Sequence, residues 1–259
     1  MTDTTSELVH LGLASGVATI TLDSPRNRNA LSAQLRRELL AHLEHCAQDD
    51  AVRVVVLTHT GTVFCSGMDL SESRGAQASD QGVNEFPRIL QMIWQHPKPV
   101  IARIAGPARA GGIGMVAACD IAVAGASATF GFSEVRIGVV PAVISVTVLP
   151  RITARAAQEL FLTGEVFDAA RAADIGLLTA AVADTDLDAS VAGYVTSLAK
   201  GGPLALAATK AMLSARDGDL GGQFTEKTAL SASFFASTEA QEGIRAFSEK
   251  RPASWIPAE

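Results

Sequence analysis

An apolar run that breaks on glycines and then resumes leaves a chain few ways to fold. Residues 99–104 read as a buried strand and residues 113–119 as a buried helix, with Gly111, Gly112 and Gly114 at the join. A strand handed to a helix through small residues is a unit of α/β architecture. The join also has a chemical consequence. A helix that starts on small residues leaves backbone N–H groups free and turns the positive end of its dipole outward. Such a corner holds a phosphate, or the oxyanion of a polarised carbonyl. It serves equally where a helix needs only to pack closely.

A second corner lies earlier. Residues 52–58 are strand-like, and Val63-Phe64-Cys65-Ser66-Gly67-Met68-Asp69-Leu70 follows them. The chain opens on a hairpin, residues 8–13 and 17–22 about Ala14-Ser15-Gly16. Leu31, Leu35, Leu39 and Leu43 then mark one face of an amphipathic helix ending near Gln48, with Ser32 placed to cap it. The polar stretch 71–85 reads as a loop. Its acids Glu72, Asp80 and Glu85 keep it solvated, with assistance to catalysis as the alternative reading. Helices are expected over 86–95, 153–162 and 168–174, and strands over 121–124, 128–132 and the end of 175–182. Beyond residue 187 the pattern is helical, punctuated by the glycine pairs Gly201-Gly202 and Gly221-Gly222.

Composition narrows the function classes. A chain of 259 residues, 48% of them hydrophobic, can bury a sizeable core. A net charge of −6 suggests no broad basic surface, so nucleic acid is not an expected partner. No apolar run is long enough to span a bilayer, and residues 1–7 lack a signal-peptide core. Cys46, Cys65 and Cys119 have no metal or redox spacing and fit buried thiols in a reducing cytoplasm. His42 and His45 lie three apart on the first helix without a third ligand, so no metal is expected.

Taken together, the two corners resemble the paired oxyanion-hole motifs of the enoyl-CoA hydratase/isomerase (crotonase) family. Phe-Cys-Ser-Gly-Met-Asp-Leu stands for the first and Ala110-Gly111-Gly112 for the second, with Ser66 where alanine is usual and Ala110 where glycine is usual. The resemblance runs from about Val17 to Arg251. It implies an α/β fold, a ββα superhelix over residues 1–195. A helical region over 196–259, in the same structural unit, would make trimer contacts and contribute to CoA binding. It also implies that the Met68 and Gly111 N–H groups grip a thioester oxygen. Arg28 and Ala30, in a segment resembling the family's Arg-x-Asn-Ala-Leu, would lie along CoA. Ser66, Asp69, Leu70, Gly112, Gly114 and Pro141 would shape the pocket. Glu242-Gly243-Ile244-Arg245-Ala246-Phe247-Ser248-Glu249-Lys250-Arg251 resembles the family's terminal motif and assigns Phe247 and Lys250 to CoA.

Phe130-Gly131-Phe132-Ser133-Glu134 resembles the segment that carries the family's acid/base. On its own, a Glu after a short strand is usually a surface residue. Between apolar neighbours and beside two oxyanion corners, Glu134 is the expected proton carrier. The well-known hydratases use two glutamates, and the first of them falls at Gly114 here. Pro141-Ala142-Val143-Ile144-Ser145 replaces the Pro-Gly-Gly-Gly-Gly of many hydratases. The resemblance therefore implies a hydro-lyase acting on a branched or unusual 2-enoyl-CoA in lipid metabolism. A Δ3,Δ2-enoyl-CoA isomerase is the alternative, because shuttling one proton needs one base; a non-catalytic acyl-CoA binder is a further one. No cofactor beyond the acyl-CoA substrate is implied, and the assembly would be a homotrimer or a hexamer. Arg109 precedes the second corner and reads as a surface ion pair or as a contact to an acidic acyl tail or a CoA phosphate.

Overall fold

The computed structural model describes residues 6–72, 85–214 and 219–256; Asp80 lies outside them. Strands β1 (Val9–Ala14) and β2 (Val17–Leu22) form an antiparallel hairpin. Its turn needs positive φ at both central residues, and Ser15 (50°) and Gly16 (79°) supply it. Helix α1 (Ala33–Gln48) follows, its leucine face buried through Leu35, Leu39 and Leu43. The Ser32 hydroxyl accepts from the Leu35 N–H at 3.4 Å as the cap.

From there the chain repeats one unit. A strand of the large sheet leads to a short segment of a second layer, and then to a helix. First come β3 (Val54–His59), an isolated bridge at Cys65 and α2 (Phe86–Trp94). Next are β4 (Val100–Ile104), β5 (Ala108–Arg109) and α3 (Gly111–Ala118). Then follow β6 (Ile121–Gly125), β7 (Thr129–Gly131), a 3-10 turn (Ser133–Ile137) and α4 (Ala142–Val148). Helix α5 (Ala154–Thr163), β8 (Val166–Asp168), α6 (Ala169–Asp174) and β9 (Ala180–Val182) complete the winding. The large sheet runs β1-β2-β3-β4-β6-β9, parallel after the first pair, and the small one β5-β7-β8.

Parallel strands are covered on both faces, which is why they read as near-continuous apolar runs. Every residue of β3 is buried. Leu57 and Val55 face the main core, while Val54, Val56, Ile101 and Val123 meet α7 (Leu187–Ala199) on the other side. Each fully buried side chain of this size contributes about 1.5–3 kcal/mol. Helices α8 (Pro203–Ser214), α9 (Leu220–Phe235) and α10 (Thr238–Glu249) close the chain. Helix α9 packs on α4 and α2, and α10 on the 3-10 turn at Ser133–Ile137. Among the described residues no helix is long and apolar enough to cross a membrane.

Candidate active site

The two corners meet. The Arg109 N–H donates to the Cys65 carbonyl at 2.9 Å, and the Leu31 N–H to the Gly67 carbonyl at 2.8 Å. Gly67 has φ +93°, and a Cβ there would lie 2.9 Å from the Ala110 Cβ and 3.7 Å from the Gly111 nitrogen. A side chain at 67 would therefore push the corners apart. Across the join, Ala110 stands at φ 47°, ψ −118°, a conformation suited to glycine. Neither the Met68 N–H nor the Gly111 N–H donates to any described residue. Two free donors on adjacent corners, one at the positive end of α3, have the chemistry to accept a developing oxyanion.

Both corners open onto a cavity of about 640 Å³. Glu134 lines it from the 3-10 turn that follows β7. Its Oε2 is out of contact with solvent and has no hydrogen-bond partner among the described residues. Burial pushes its carboxyl up to about 7, because the charged form loses its water. The group thus changes protonation near neutrality, as an acid/base must.

Of the residues named from sequence, Arg28, Ala30, Ser66, Met68, Asp69, Leu70, Gly111, Glu134, Pro141 and Phe247 line this cavity. Asp69 is also spent locally, accepting from Ser71 Oγ at 2.6 Å and from Asn27 Nδ2 at 3.3 Å. Gly112, Gly114 and Lys250 do not line it. Gly112 packs the corners together; a Cβ there would come within 2.8 Å of the Cys65 carbonyl oxygen. Lys250 is the left-handed cap of α10 (φ 54°), and it is the next residue, Arg251, that reaches the cavity. Arg251 is held by Glu242 at 2.7 Å and Glu249 at 2.6 Å.

Gly114 faces α4. A Cβ on it would lie 2.7 Å from Ile144 Cγ2 and 3.5 Å from Leu90 Cδ1. Ile144 itself lines the cavity. An apolar branched side chain therefore fills the direction a residue at 114 would take. Thr147 Oγ1 ties α4 to α3 by donating to the Gly114 carbonyl at 3.0 Å.

Arg109 does not line the cavity, and among the described residues it makes no ion pair. Its guanidinium donates to the Thr129 carbonyl at 2.6 Å and to Thr129 Oγ1 at 2.9 Å, stitching β5 to β7. Glu72 and Glu85 are likewise structural: Glu72 accepts from the Ala33 N–H at the start of α1, and Glu85 pairs with the buried Arg36 at 3.3 Å. His42 meets the Val9 carbonyl, and the described residues hold no cluster suited to a metal ion. Burial raises the Cys65 thiol to about 12, so it stays a neutral packing group.

Sequence reasoning missed several lining residues. Arg26 and Arg28 both present exposed cations beside the cavity, but only Arg28 lies on a recognisable motif. Phe86, 3.1 Å from the point a Gly111 Cβ would occupy, brings a ring to the oxyanion corner. Ser231 and Phe235 come from α9, whose contribution depends on packing the letters do not display.

The chain is similar to known proteins along nearly its whole length. The model of the family described as enoyl-CoA hydratase/isomerase matches residues 12–257. A crystal structure of an enoyl-CoA hydratase from Mycobacterium avium is 44% identical, with a TM-score of 0.88, covering 97% of this chain and all of that one. Another enoyl-CoA hydratase structure, from Mycobacterium smegmatis, is 31% identical at a TM-score of 0.79, covering 96% and 99%. Human enoyl-CoA hydratase domain-containing protein 3, mitochondrial, is 31% identical over 246 residues, 93% of this chain and 80% of that protein.

Proposed function

The chain belongs to the enoyl-CoA hydratase/isomerase family and has its fold, and from that premise we propose that it adds water to, or removes it from, a 2-enoyl-CoA thioester. The thioester oxygen accepts from the Met68 and Gly111 N–H groups. Negative charge that develops on it in the enolate-like state is stabilised there more than in the ground state. Ionised Glu134 takes a proton from water as the oxygen bonds to the β carbon, and the same proton can pass to the α carbon. Dehydration runs the steps in reverse. Arg26, Arg28 and Arg251 suit the phosphates of CoA by charge. The observation that carries the reading is Glu134, whose Oε2 is enclosed with no partner among the described residues and whose carboxyl desolvation pushes up to about 7, in the cavity that both corners share.

One observation favours a second reading. With Gly114 against Ile144, position 114 supplies no second side chain to hold the attacking water. A Δ3,Δ2-enoyl-CoA isomerase needs none: Glu134 takes the proton from carbon 2 and returns it to carbon 4. Mass spectrometry separates the two. In 18O-labelled water, a labelled 3-hydroxyacyl-CoA from a 2-enoyl-CoA supports hydration. Conversion of a 3-enoyl-CoA to its 2-enoyl isomer without label supports the isomerase and removes the first reading.

A homotrimer, or a hexamer of two trimers, belongs to the same proposal. The C-terminal helices leave Leu204 and Met212 exposed, 86% and 64%, which is a reason for them to be covered.

A further inference from the structure

Helix α9 buries Leu220, Phe224 and Ser231 on one face. A serine on such a stripe stands out, because a hydroxyl inside a helix interface needs a partner. The usual partner is the helix's own backbone. Two neighbours follow that rule: Thr225 Oγ1 donates to the Gly221 carbonyl at 3.0 Å, and Ser233 Oγ to the Leu230 carbonyl at 2.8 Å. Ser231 does not. It is 5% exposed, and among the described residues its hydroxyl meets no partner; it is not fully enclosed, so it is open to the cavity. It lines the 640 Å³ cavity beside Phe235.

The surroundings narrow what this hydroxyl can meet. Helix α9 packs on α4, whose Ala142, Val143 and Ile144 give the cavity an apolar wall. Ser231 is the one polar side chain these two helices contribute to the cavity lining. Its cations come from elsewhere: Arg26 and Arg28 ahead of α1, Arg136 on the 3-10 turn and paired with Glu165, and Arg251 beyond α10. The one cation on these two helices, Lys227, is paired with Glu226 at 2.8 Å and does not line the cavity, so a carboxylate at Ser231 would find no counter-ion in this wall. A neutral oxygen would have a hydrogen bond where a plain methylene strands the hydroxyl.

We infer that the substrate's acyl chain carries a hydroxyl or keto oxygen and that the Ser231 hydroxyl hydrogen-bonds it in the wall between α4 and α9. The inference rests on the acyl-CoA reading of the cavity. It makes Ser231 a specificity determinant separate from Glu134.

Binding tests it without requiring turnover. Calorimetric titrations would use octanoyl-CoA and its 5-, 6-, 7- and 8-hydroxy derivatives, against the wild-type chain, Ser231→Ala and Ser231→Thr. The expected result is that one derivative binds the wild type about tenfold tighter than octanoyl-CoA, the order expected for a hydrogen bond that would otherwise go unmade. That ratio should collapse towards one in Ser231→Ala and return in Ser231→Thr, which keeps the hydroxyl. A wild type that prefers none of the derivatives overturns the inference, as does a preference that survives Ser231→Ala. Both of those results leave the acyl-CoA reading standing. Failure of every acyl-CoA to bind would overturn that reading and this inference with it.

Discussion

At the scale of single residues, Glu134 carries the account, and its raised pKa has consequences for both rate and stability. The carboxyl titrates near 7 in the folded chain, against 4.5 as the ordinary value. The folded state therefore favours the protonated form. Its contribution to stability is complete below about pH 4.5 and is lost as pH rises through 7. Glu134→Gln, which never ionises, should gain on the wild type across that window, by up to about 3 kcal/mol above pH 7. Urea denaturation at pH 4.5 and pH 8 measures the gap, which should be wider at pH 8. Since the base must be ionised, kcat/KM on an enoyl-CoA should fall below pH 7 with an apparent pKa near that value. Ala110 gives a separate prediction. Its φ of 47° with ψ −118° suits glycine, so Ala110→Gly should raise the denaturation midpoint, by about 1 kcal/mol of stability.

The elements explain what the letters did and did not disclose. The long strands and helices were legible because burial imposes a pattern on each: four-residue leucine spacing in α1, and largely apolar runs in β3 and β4 that only Thr58, His59 and Arg103 interrupt. Strands β5 and β8, two and three residues long, were not. Such short pieces exist only because a neighbouring strand offers its backbone, Ala108 to Phe130 and Val166 to Gly131. The glycine corners were visible, but not what each glycine avoids, since Gly114 is required by Ile144 on another helix. That contact predicts a coupled pair. Gly114→Ala should cost about 1–3 kcal/mol by overpacking, and adding Ile144→Ala should recover part of the loss. A double-mutant cycle in urea checks the coupling; additive effects would place the strain elsewhere. Lys250 shows how little separates neighbours at a helix end, because its left-handed cap leaves Arg251 at the cavity.

Across the whole molecule, the cavity depends on segments far apart in sequence being held in register. Its walls come from the loop before α1, both corners, the 3-10 turn at Ser133–Ile137, α4, α9, α10 and the chain beyond it. One cation does much of the fastening. Lys210 on α8 is 7% exposed and donates to Asp120 Oδ2 at 2.7 Å and to the Ile93 carbonyl at 3.0 Å. Asp120 Oδ2 also accepts from the Val100 N–H at 2.7 Å, so α2, β4, the end of α3 and α8 meet at one ion pair. Lys210→Met should leave Asp120 without its charge partner and cost about 3 kcal/mol, read as a lowered denaturation midpoint. Hydrogen exchange should place the earliest loss of protection in α8.

The most direct test of the central claim compares Glu134→Gln with the wild type in two assays on the same preparations: steady-state turnover of an enoyl-CoA, and equilibrium binding of a saturated acyl-CoA. The account predicts that kcat falls by about 10²–10⁴ while binding is retained, since the amide keeps the shape but cannot carry the proton. Turnover left intact in Glu134→Gln would contradict it, and the proton would have to be carried by another group.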